Sequence, residues 1–169
     1  MNIVLVGFMG TGKTTVARKL VSLMNMQYIS TDILIEERLS MSINDIFKNN
    51  TEEFFRKIET EAVKEVAVLD GVIIDAGGGV MIDEENVKNL KKNALIICLT
   101  ALPGVILERM KDKKDRPLLN KGDKLKTIES LLQERSSYYE RSNKFIDTSS
   151  LDASSVALKI KDIFESISA

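Results

Sequence analysis

The sequence predicts an α/β fold of three layers, in which a doubly wound, five-stranded parallel sheet lies between helices. Short apolar runs alternate along the chain with segments that carry the spacing of amphipathic helices. The runs are continuously apolar, which is typical of parallel strands covered on both faces. A glycine-rich loop joins the first run to the first helical segment, and such sheets are often built from strand–loop–helix units of this kind.

The strands are predicted where short runs rich in β-branched residues lie between turn residues or charged segments. Val72 to Ile74 is typical, because it is wholly β-branched and three glycines follow it closely. The five predicted strands comprise residues 2–6, 28–29, 72–74, 94–99 and 144–147.

The helices are predicted from apolar spacing and from residues that mark helix starts. In the first helix, Val16, Leu20 and Leu23 recur at helical spacing. Ser, Thr or Asp precedes most of the others and can cap the first turn, whereas Pro103 itself fits a first turn. The predicted helices run from 13 to about 25, from 32 to about 38 after Ser30 or Thr31, briefly after Ser42, after Thr51 to about 69, after Asp83 to about 92, from 103 to about 110, from about 124 to 141, and after Ser150 or Asp152.

Residues 7–14 read Gly-Phe-Met-Gly-Thr-Gly-Lys-Thr, which is the pattern of a phosphate-binding loop. Its glycines let backbone N–H groups turn toward phosphate oxygens, and the N-terminus of the next helix adds positive charge. Lys13 is predicted to reach the β- and γ-phosphates, and Thr14 to offer its hydroxyl to Mg²⁺. A glycine-rich turn that binds nothing is the alternative. We predict a nucleotide site formed by Gly10, Thr11, Gly12, Lys13, Thr14 and Thr15.

Composition restricts the classes of protein to which the chain can belong. Its 169 residues suit one domain, and we expect a single domain over 1–169. The net charge of −1 gives no general attraction to nucleic acid or to anionic membranes, so we expect neither as a partner. The chain has no His, which excludes imidazole chemistry. Its one cysteine, Cys98, lies in an apolar run and is expected to be a buried, inert thiol.

No targeting segment is recognisable, because an apolar strand begins at once and the glycine-rich loop follows it. No apolar run approaches the ~18 residues that a membrane span needs. We therefore expect a soluble, cytoplasmic protein. The sequence shows no obvious exposed apolar stripe, so we expect a monomer.

The segment from about 111 to 124 is polar and lies between two predicted helices. A solvated surface loop is one interpretation. The embedded sequence Arg116-Pro117-Leu118-Leu119 favours a mobile lid over the nucleotide, because an arginine beside a rigid proline can be brought onto a phosphate.

An ordered set of further motifs runs through nearly the whole chain. They are Gly-Phe-Met-Gly-Thr-Gly-Lys-Thr-Thr at 7–15, Thr31-Asp32 with Ile35-Glu36, Phe55-Arg56 with Glu59, Gly77-Gly78-Gly79, Arg116-Pro117-Leu118-Leu119, and Glu134-Arg135 with Tyr139. In this set the chain resembles the shikimate kinase family, whose members phosphorylate the 3-hydroxyl of shikimate with ATP and Mg²⁺. The resemblance implies the phosphate-loop fold of the nucleoside-monophosphate-kinase type, with a lid and a helical substrate-binding insert at about 32–61.

The resemblance also implies which residues hold the substrate. Asp32 would accept hydrogen bonds from the shikimate hydroxyls and take the proton of the attacking one. Arg56 and Arg135 would hold the carboxylate, and bidentate guanidinium groups suit that task. Gly78 and Gly79 would contribute the backbone beside the substrate. Each side chain has a simpler alternative: ion pairs within a helix for the arginines, and a favoured first-turn acid for Asp32.

At the nucleotide end, the resemblance implies that Arg109 stacks on adenine and that Arg116 reaches the transferring phosphate. Lys13, Asp32 and Arg116 would then be the catalytic residues. Phosphoryl transfer requires alignment and charge neutralisation, which Lys13, Mg²⁺ and Arg116 would provide.

The chain departs from the family pattern at two positions near the predicted metal. The family usually has Asp-any-Asp where this chain has Ser30-Thr31-Asp32, so the acid that organises Mg²⁺ through water is replaced by Ser30. Conversely, Asp75 stands where the family commonly has a small neutral residue. We expect Asp75 to take over part of the missing charge, with Ser30 contributing through water. A locally hydrogen-bonded Asp75 that faces away from the metal is the alternative.

Three functional hypotheses follow. The first is a shikimate kinase. The second is a related phosphate-loop kinase of another small molecule, such as gluconate or a nucleoside monophosphate. The third is a nucleotide-binding module without catalysis, against which Lys13, Thr14, Asp32 and Arg116 argue.

Overall fold

The computed structural model describes residues 1–111 and 123–168. Arg116 and most of the predicted lid lie outside the described residues. The last residues assigned to the lid belong to a helix start, since Asp123 caps a helix whose first residue is Lys124.

A five-stranded parallel sheet forms the centre of the molecule, which confirms the predicted α/β fold. The strands lie in the order β2-β3-β1-β4-β5, and every neighbouring pair is parallel. The strands are β1 (Asn2–Val6), β2 (Gln27–Ser30), β3 (Val72–Asp75), β4 (Ala94–Thr100) and β5 (Lys144–Asp147).

The helices in the described part of the chain agree with the predicted ones within two or three residues at their ends. The sequence did not indicate the short 3₁₀ helix at Val80–Ile82, which follows the three glycines. The α-helices are α1 (Lys13–Met24), α2 (Thr31–Leu39), α3 (Ile43–Asn49), α4 (Glu52–Ala67), α5 (Glu84–Lys91), α6 (Pro103–Met110), α7 (Lys124–Tyr139) and α8 (Ala153–Ser168).

Polar caps fix where most of the helices begin. Ser30 rather than Thr31 caps α2, because its hydroxyl accepts from the backbone N–H of Ile33. Ser42, Thr51 and Asp83 cap α3, α4 and α5 as predicted. Of the two candidates before α8, Asp152 is the cap, since its carboxylate accepts from the N–H of Ser155.

Alternate residues of β1 pack into different layers. Ile3 and Leu5 pack with apolar residues of α1 and α8, whereas Val4 and Val6 pack with those of α4 and α5. All four side chains are fully buried. This two-sided burial explains why the strands read as continuous apolar runs. No helix in the described ranges is both long and apolar enough to cross a membrane.

Two smaller apolar clusters hold the helices that surround the glycine-rich loops. One joins α2, α3 and α4 through Ile35, Ile46 and Phe55, so these three helices hold together as a unit. The other joins the loop after β1 to α6 and α7, and its buried members are Phe8, Ile106, Met110 and Ile128.

The functional loops meet at one rim because parallel strands end on the same side of a sheet. The loop at 7–14 follows β1, and the three glycines follow the neighbouring β3. The end of β2 adjoins the same point, with Ser30 opposite Asp75 in register. The sheet therefore brings all three chain segments together.

Candidate active site

The loop at 7–14 has the backbone of a phosphate cradle. Gly7 has φ +135°, and a Cβ there would lie 2.2 Å from the carbonyl oxygen of Leu99, so a side chain would not fit. Gly12 has φ +96° at the N-terminus of α1. Lys13 folds back over the loop, where its Nζ donates to the carbonyl oxygens of Gly7 (2.9 Å) and Phe8 (3.3 Å). The loop thus presents a helix N-terminus and an ammonium group on the same rim.

A carboxylate lies directly against the threonine of this loop. Thr14 Oγ1 donates to Asp75 Oδ2 at 2.6 Å, and the Tyr28 hydroxyl donates to the same oxygen at 3.1 Å. Burial, and then the charge of Asp75, raise the pKa of Tyr28, so its phenol remains a donor at neutral pH. Asp75 therefore faces Thr14 of the phosphate loop.

The three predicted substrate side chains lie against the three glycines. A Cβ built on Gly77 would be 2.5 Å from Oδ1 of Asp32, and one on Gly79 would be 2.2 Å from Nη1 of Arg56. A Cβ on Gly78 would be 3.7 Å from Nη1 of Arg135 and 3.6 Å from the carbonyl oxygen of Gly7. Asp32, Arg56 and Arg135 therefore gather around Gly77–Gly79, and Gly78 adjoins the phosphate loop at Gly7. A side chain at 77 or 79 would displace Asp32 or Arg56, because these side chains occupy the space of a Cβ.

Arg56 is held by two acids of its own helix. Its Nη1 donates to Glu59 at 2.7 Å and its Nη2 to Glu52 at 3.0 Å. Glu59 is buried, and this burial raises the pKa of its carboxyl, while the guanidinium of Arg56 opposes the shift. Arg56 thus forms the ion pairs within its helix that the simpler alternative predicts. Its guanidinium nevertheless lies over Gly79.

Arg135 lies against an aromatic ring, and no acid in the described part of the chain forms an ion pair with it. Its guanidinium carbon lies 5.7 Å from the centre of the Phe8 ring. Tyr139, one turn further along α7, donates from its hydroxyl to the carbonyl oxygen of Gly78 at 2.9 Å. Burial raises the pKa of Tyr139 to about 12, so the phenol stays protonated and keeps this hydrogen bond. Both contacts tie α7 to the glycine loops.

Arg109 joins the phosphate loop to the end of β5. Its Nη1 donates to the carbonyl oxygen of Gly10 (3.3 Å) and to Thr148 Oγ1 (3.0 Å), and its Nη2 donates to the carbonyl oxygen of Thr148 (2.6 Å). Thr148 is buried, and its Oγ1 also lies 3.0 Å from the carbonyl oxygen of Thr11. The predicted contact of Arg109 with adenine remains a prediction.

Sequence reasoning missed three residues that organise this rim. Thr148 follows β5 directly, and a polar residue at a strand's carboxyl end is the signal that could have indicated it. Thr31 accepts the N–H of Gly77 on its hydroxyl at 3.0 Å, which fixes the first glycine beside α2. Tyr28 lies within β2, and nothing in the sequence around it indicated that its hydroxyl bonds to an acid on β3.

The arrangement can align two anionic ligands. The phosphate loop suits phosphates, while two guanidinium groups and a carboxylate suit a second ligand that carries an acid and hydroxyls. This fold and this site define a phosphate-loop kinase that acts on a small molecule.

Comparisons with known proteins specify the family. The family model described as "Shikimate kinase" matches residues 9–165. A shikimate kinase of Caldanaerobacter subterraneus is 43% identical over 94% of this chain and 93% of its own length. One of Thermodesulfovibrio yellowstonii is 41% identical over 99% and 96%. A solved shikimate kinase from Acinetobacter baumannii, in complex with shikimate, superposes with a TM-score of 0.91 at 32% identity, covering 98% of this chain and 93% of that one. The chain belongs to the shikimate kinase family, and is accordingly an ATP-dependent phosphotransferase.

Proposed function

We propose that this protein transfers the γ-phosphate of ATP to the 3-hydroxyl of shikimate, giving shikimate 3-phosphate and ADP. One observation carries the substrate assignment. Asp32, Arg56 and Arg135 converge on Gly77–Gly79, and the middle glycine adjoins the phosphate loop at Gly7. The solved relative that superposes on this chain is described as a complex with shikimate, which supports the same ligand here.

The substrate end recognises a carboxylate and hydroxyl groups. Arg56 and Arg135 approach the glycines from α4 and α7, so a carboxylate between them would receive charged hydrogen bonds from two directions. Gly78 and Gly79 would contribute backbone beside it. Asp32 would accept from the hydroxyls and take the proton of the attacking one, since a carboxylate is an acceptor when ionised. The helical unit of α2, α3 and the start of α4 would form the substrate-binding insert.

The nucleotide end neutralises phosphate charge. Backbone N–H groups of Gly10, Thr11 and Gly12, with Thr15 in the first turn of α1, would surround the phosphates, and Lys13 would reach the β- and γ-phosphates. Arg109 would lie beside the adenine. We propose that Arg116, outside the described residues, reaches the transferring phosphate from a lid over about 111–124. An arginine in that role accelerates phosphoryl transfer roughly 10³- to 10⁵-fold.

The donors at Thr14 fit Mg²⁺. A hydroxyl and a carboxylate are hard oxygen ligands, and Mg²⁺ in kinases needs few protein ligands because phosphates and waters complete its shell. This agrees with the finding that no three Asp, Glu or Cys side chains of the described ranges group into a metal site of their own. Bound Mg²⁺ would neutralise charge on the β- and γ-phosphates. Thr14 would hold it, while Asp75 and Ser30 are the candidates for contacts through water.

No partner besides these small molecules is part of the proposal. We propose a monomer, because the sequence shows no obvious exposed apolar stripe.

A coupled assay of ADP release tests the function directly. The purified protein is given MgATP with shikimate, gluconate, AMP or no acceptor. Turnover on shikimate alone supports the proposal. Turnover on gluconate or AMP instead would establish a sister kinase. ATP binding without turnover on any acceptor would leave a non-catalytic nucleotide-binding module.

A further inference from the structure

Asp75 is a buried carboxylate without a cationic partner among the described residues. Only 6% of its surface is exposed. Both of its side-chain hydrogen bonds, from Thr14 and Tyr28, reach Oδ2. Within residues 1–111 and 123–168, no Lys or Arg forms an ion pair with it, and no donor reaches Oδ1. Buried carboxylates are normally paired with a cation or bound to a metal, so this one calls for a ligand.

The bond from Thr14 fixes how its hydroxyl is oriented. A hydroxyl has one proton and two lone pairs. Because Asp75 accepts that proton at 2.6 Å, the lone pairs of Thr14 Oγ1 point away from Asp75 and can face a cation. The same bond places Asp75 next to any metal that Thr14 holds. Tyr28 then restrains the carboxylate from the side of β2.

The neighbouring strand ends offer no second anion at this point. Ser30 is opposite Asp75 in register, but its hydroxyl accepts from the N–H of Ile33 and caps α2. Asp32 and Glu59 lie on the other side, against Gly77. Of the carboxylates named at this rim, Asp75 is the one beside Thr14.

We propose that Asp75 supplies the carboxylate of the Mg²⁺ side of the active site, accepting hydrogen bonds from waters on the metal, and that Tyr28 is its positioning residue. Ser30 then serves as the cap of α2 and not as a metal contact. The inference rests on the proposed use of MgATP, but not on the identity of the acceptor.

The decisive measurement is metal affinity in the absence of any acceptor. Mn²⁺ is titrated into the protein–ADP complex and followed by electron paramagnetic resonance, and calorimetry gives the affinity for ADP without metal. Asp75→Asn preserves the shape and an acceptor oxygen, but it removes the charge. We expect it to weaken Mn²⁺ binding about 10- to 100-fold and to leave metal-free ADP binding within about twofold. Unchanged Mn²⁺ affinity would overturn the proposal.

A charge relocation separates the metal role from a structural one. In the double variant Ser30→Asp with Asp75→Ala, the carboxylate moves across the register pair to β2. We expect Mn²⁺ affinity to recover to within about threefold of wild type, since residue 30 lies opposite residue 75 in the register of β2 and β3. Asp70→Asn is the matched control, because Asp70 precedes the N-terminal end of β3. This variant should leave the Mn²⁺ affinity unchanged. Recovery of thermal stability without recovery of metal affinity would mean that Asp75 is structural, and would contradict the proposal.

Tyr28→Phe tests the positioning role. Loss of one hydrogen bond to a charged group should weaken Mn²⁺ binding about fivefold, raise the Mg²⁺ concentration needed for half-maximal rate, and leave kcat at saturating Mg²⁺ nearly unchanged. A fall in kcat with unchanged metal affinity would refute that role. If metal binding responds as expected but shikimate is not phosphorylated, the proposed function fails and the metal assignment stands.

Discussion

The guanidinium of Arg56 occupies the place that a side chain at residue 79 would need. A Cβ on Gly79 would lie 2.2 Å from Nη1 and 2.8 Å from both the guanidinium carbon and Nη2. Gly79 has φ −102°, which any residue can adopt, so its backbone does not require glycine. The three atoms nearest to a Cβ at this position all belong to the guanidinium of Arg56, which therefore sets the constraint.

Gly79→Ala should therefore damage the substrate site and spare the nucleotide site. The new methyl group would displace the end of a flexible side chain and take Arg56 from its position beside Glu59. We expect shikimate affinity to fall about 10- to 100-fold, which corresponds to one or two charged hydrogen bonds, with ADP affinity unchanged. Calorimetric titration with each ligand measures both.

Gly104→Ala is the matched control for this substitution. Nothing lies within 4 Å of a Cβ at Gly104, which is in α6, so the variant should bind both ligands normally. If Gly79→Ala binds shikimate as tightly as Gly104→Ala does, Arg56 does not hold the substrate in this position.

Arg135→Ala should weaken shikimate binding heavily while nucleotide binding stays nearly intact. Arg135 lies beside Gly78 and over Phe8, and acids do not hold it among the described residues, so its removal strands no buried charge. We expect about a 100-fold loss of shikimate affinity. The exposed neighbour Gln133→Ala is the control. Equal losses for shikimate and ADP would mean that Arg135 supports the structure of the rim instead.

Thr148→Val should weaken nucleotide binding and spare the substrate. The substitution keeps the shape of a buried residue but removes the hydroxyl that joins Arg109 to the carbonyl of Thr11. We expect ADP affinity to fall about fivefold to tenfold, because the phosphate loop and Arg109 lose a common partner. Ser150→Ala, at an exposed position two residues further on, is the comparison. A loss confined to shikimate would contradict this assignment.

The sequence was sufficient to predict the features that depend on local patterns of residues. Apolar runs and polar caps located the elements, and the phosphate-loop motif indicated Lys13. The resemblance to the shikimate kinase family indicated Asp32, Arg56 and Arg135. Relationships that depend on strand register were out of reach. That Ser30 and Asp75 lie opposite each other follows from β2 pairing with β3, although 45 positions separate them in the chain. Thr148 likewise joins the site only because β5 lies beside β4.

Tyr139 makes the stability of the protein fall in alkaline solution. Its pKa is raised from about 10 to about 12 by burial, so between these values the unfolded chain loses the proton and the folded chain keeps it. The stabilisation is complete below pH 10 and is lost as the pH rises toward 12. From pH 8 to 11, this residue alone should lower the free energy of unfolding by about 1.4 kcal/mol.

The comparison with Tyr139→Phe isolates that effect, using urea unfolding at each pH. The variant lacks the hydrogen bond to Gly78 and should be less stable by about 1 kcal/mol at pH 8. Burial also raises the pKa of Cys98 to about 12, but this thiol is present in both proteins and cancels in the difference. The difference in stability should therefore close by pH 11, because the wild type loses the stabilisation from the protonated phenol, which the variant lacks at every pH. A gap that stays constant from pH 8 to 11 would mean that the phenol of Tyr139 titrates normally in the folded protein, and that it is not held protonated against the Gly78 carbonyl.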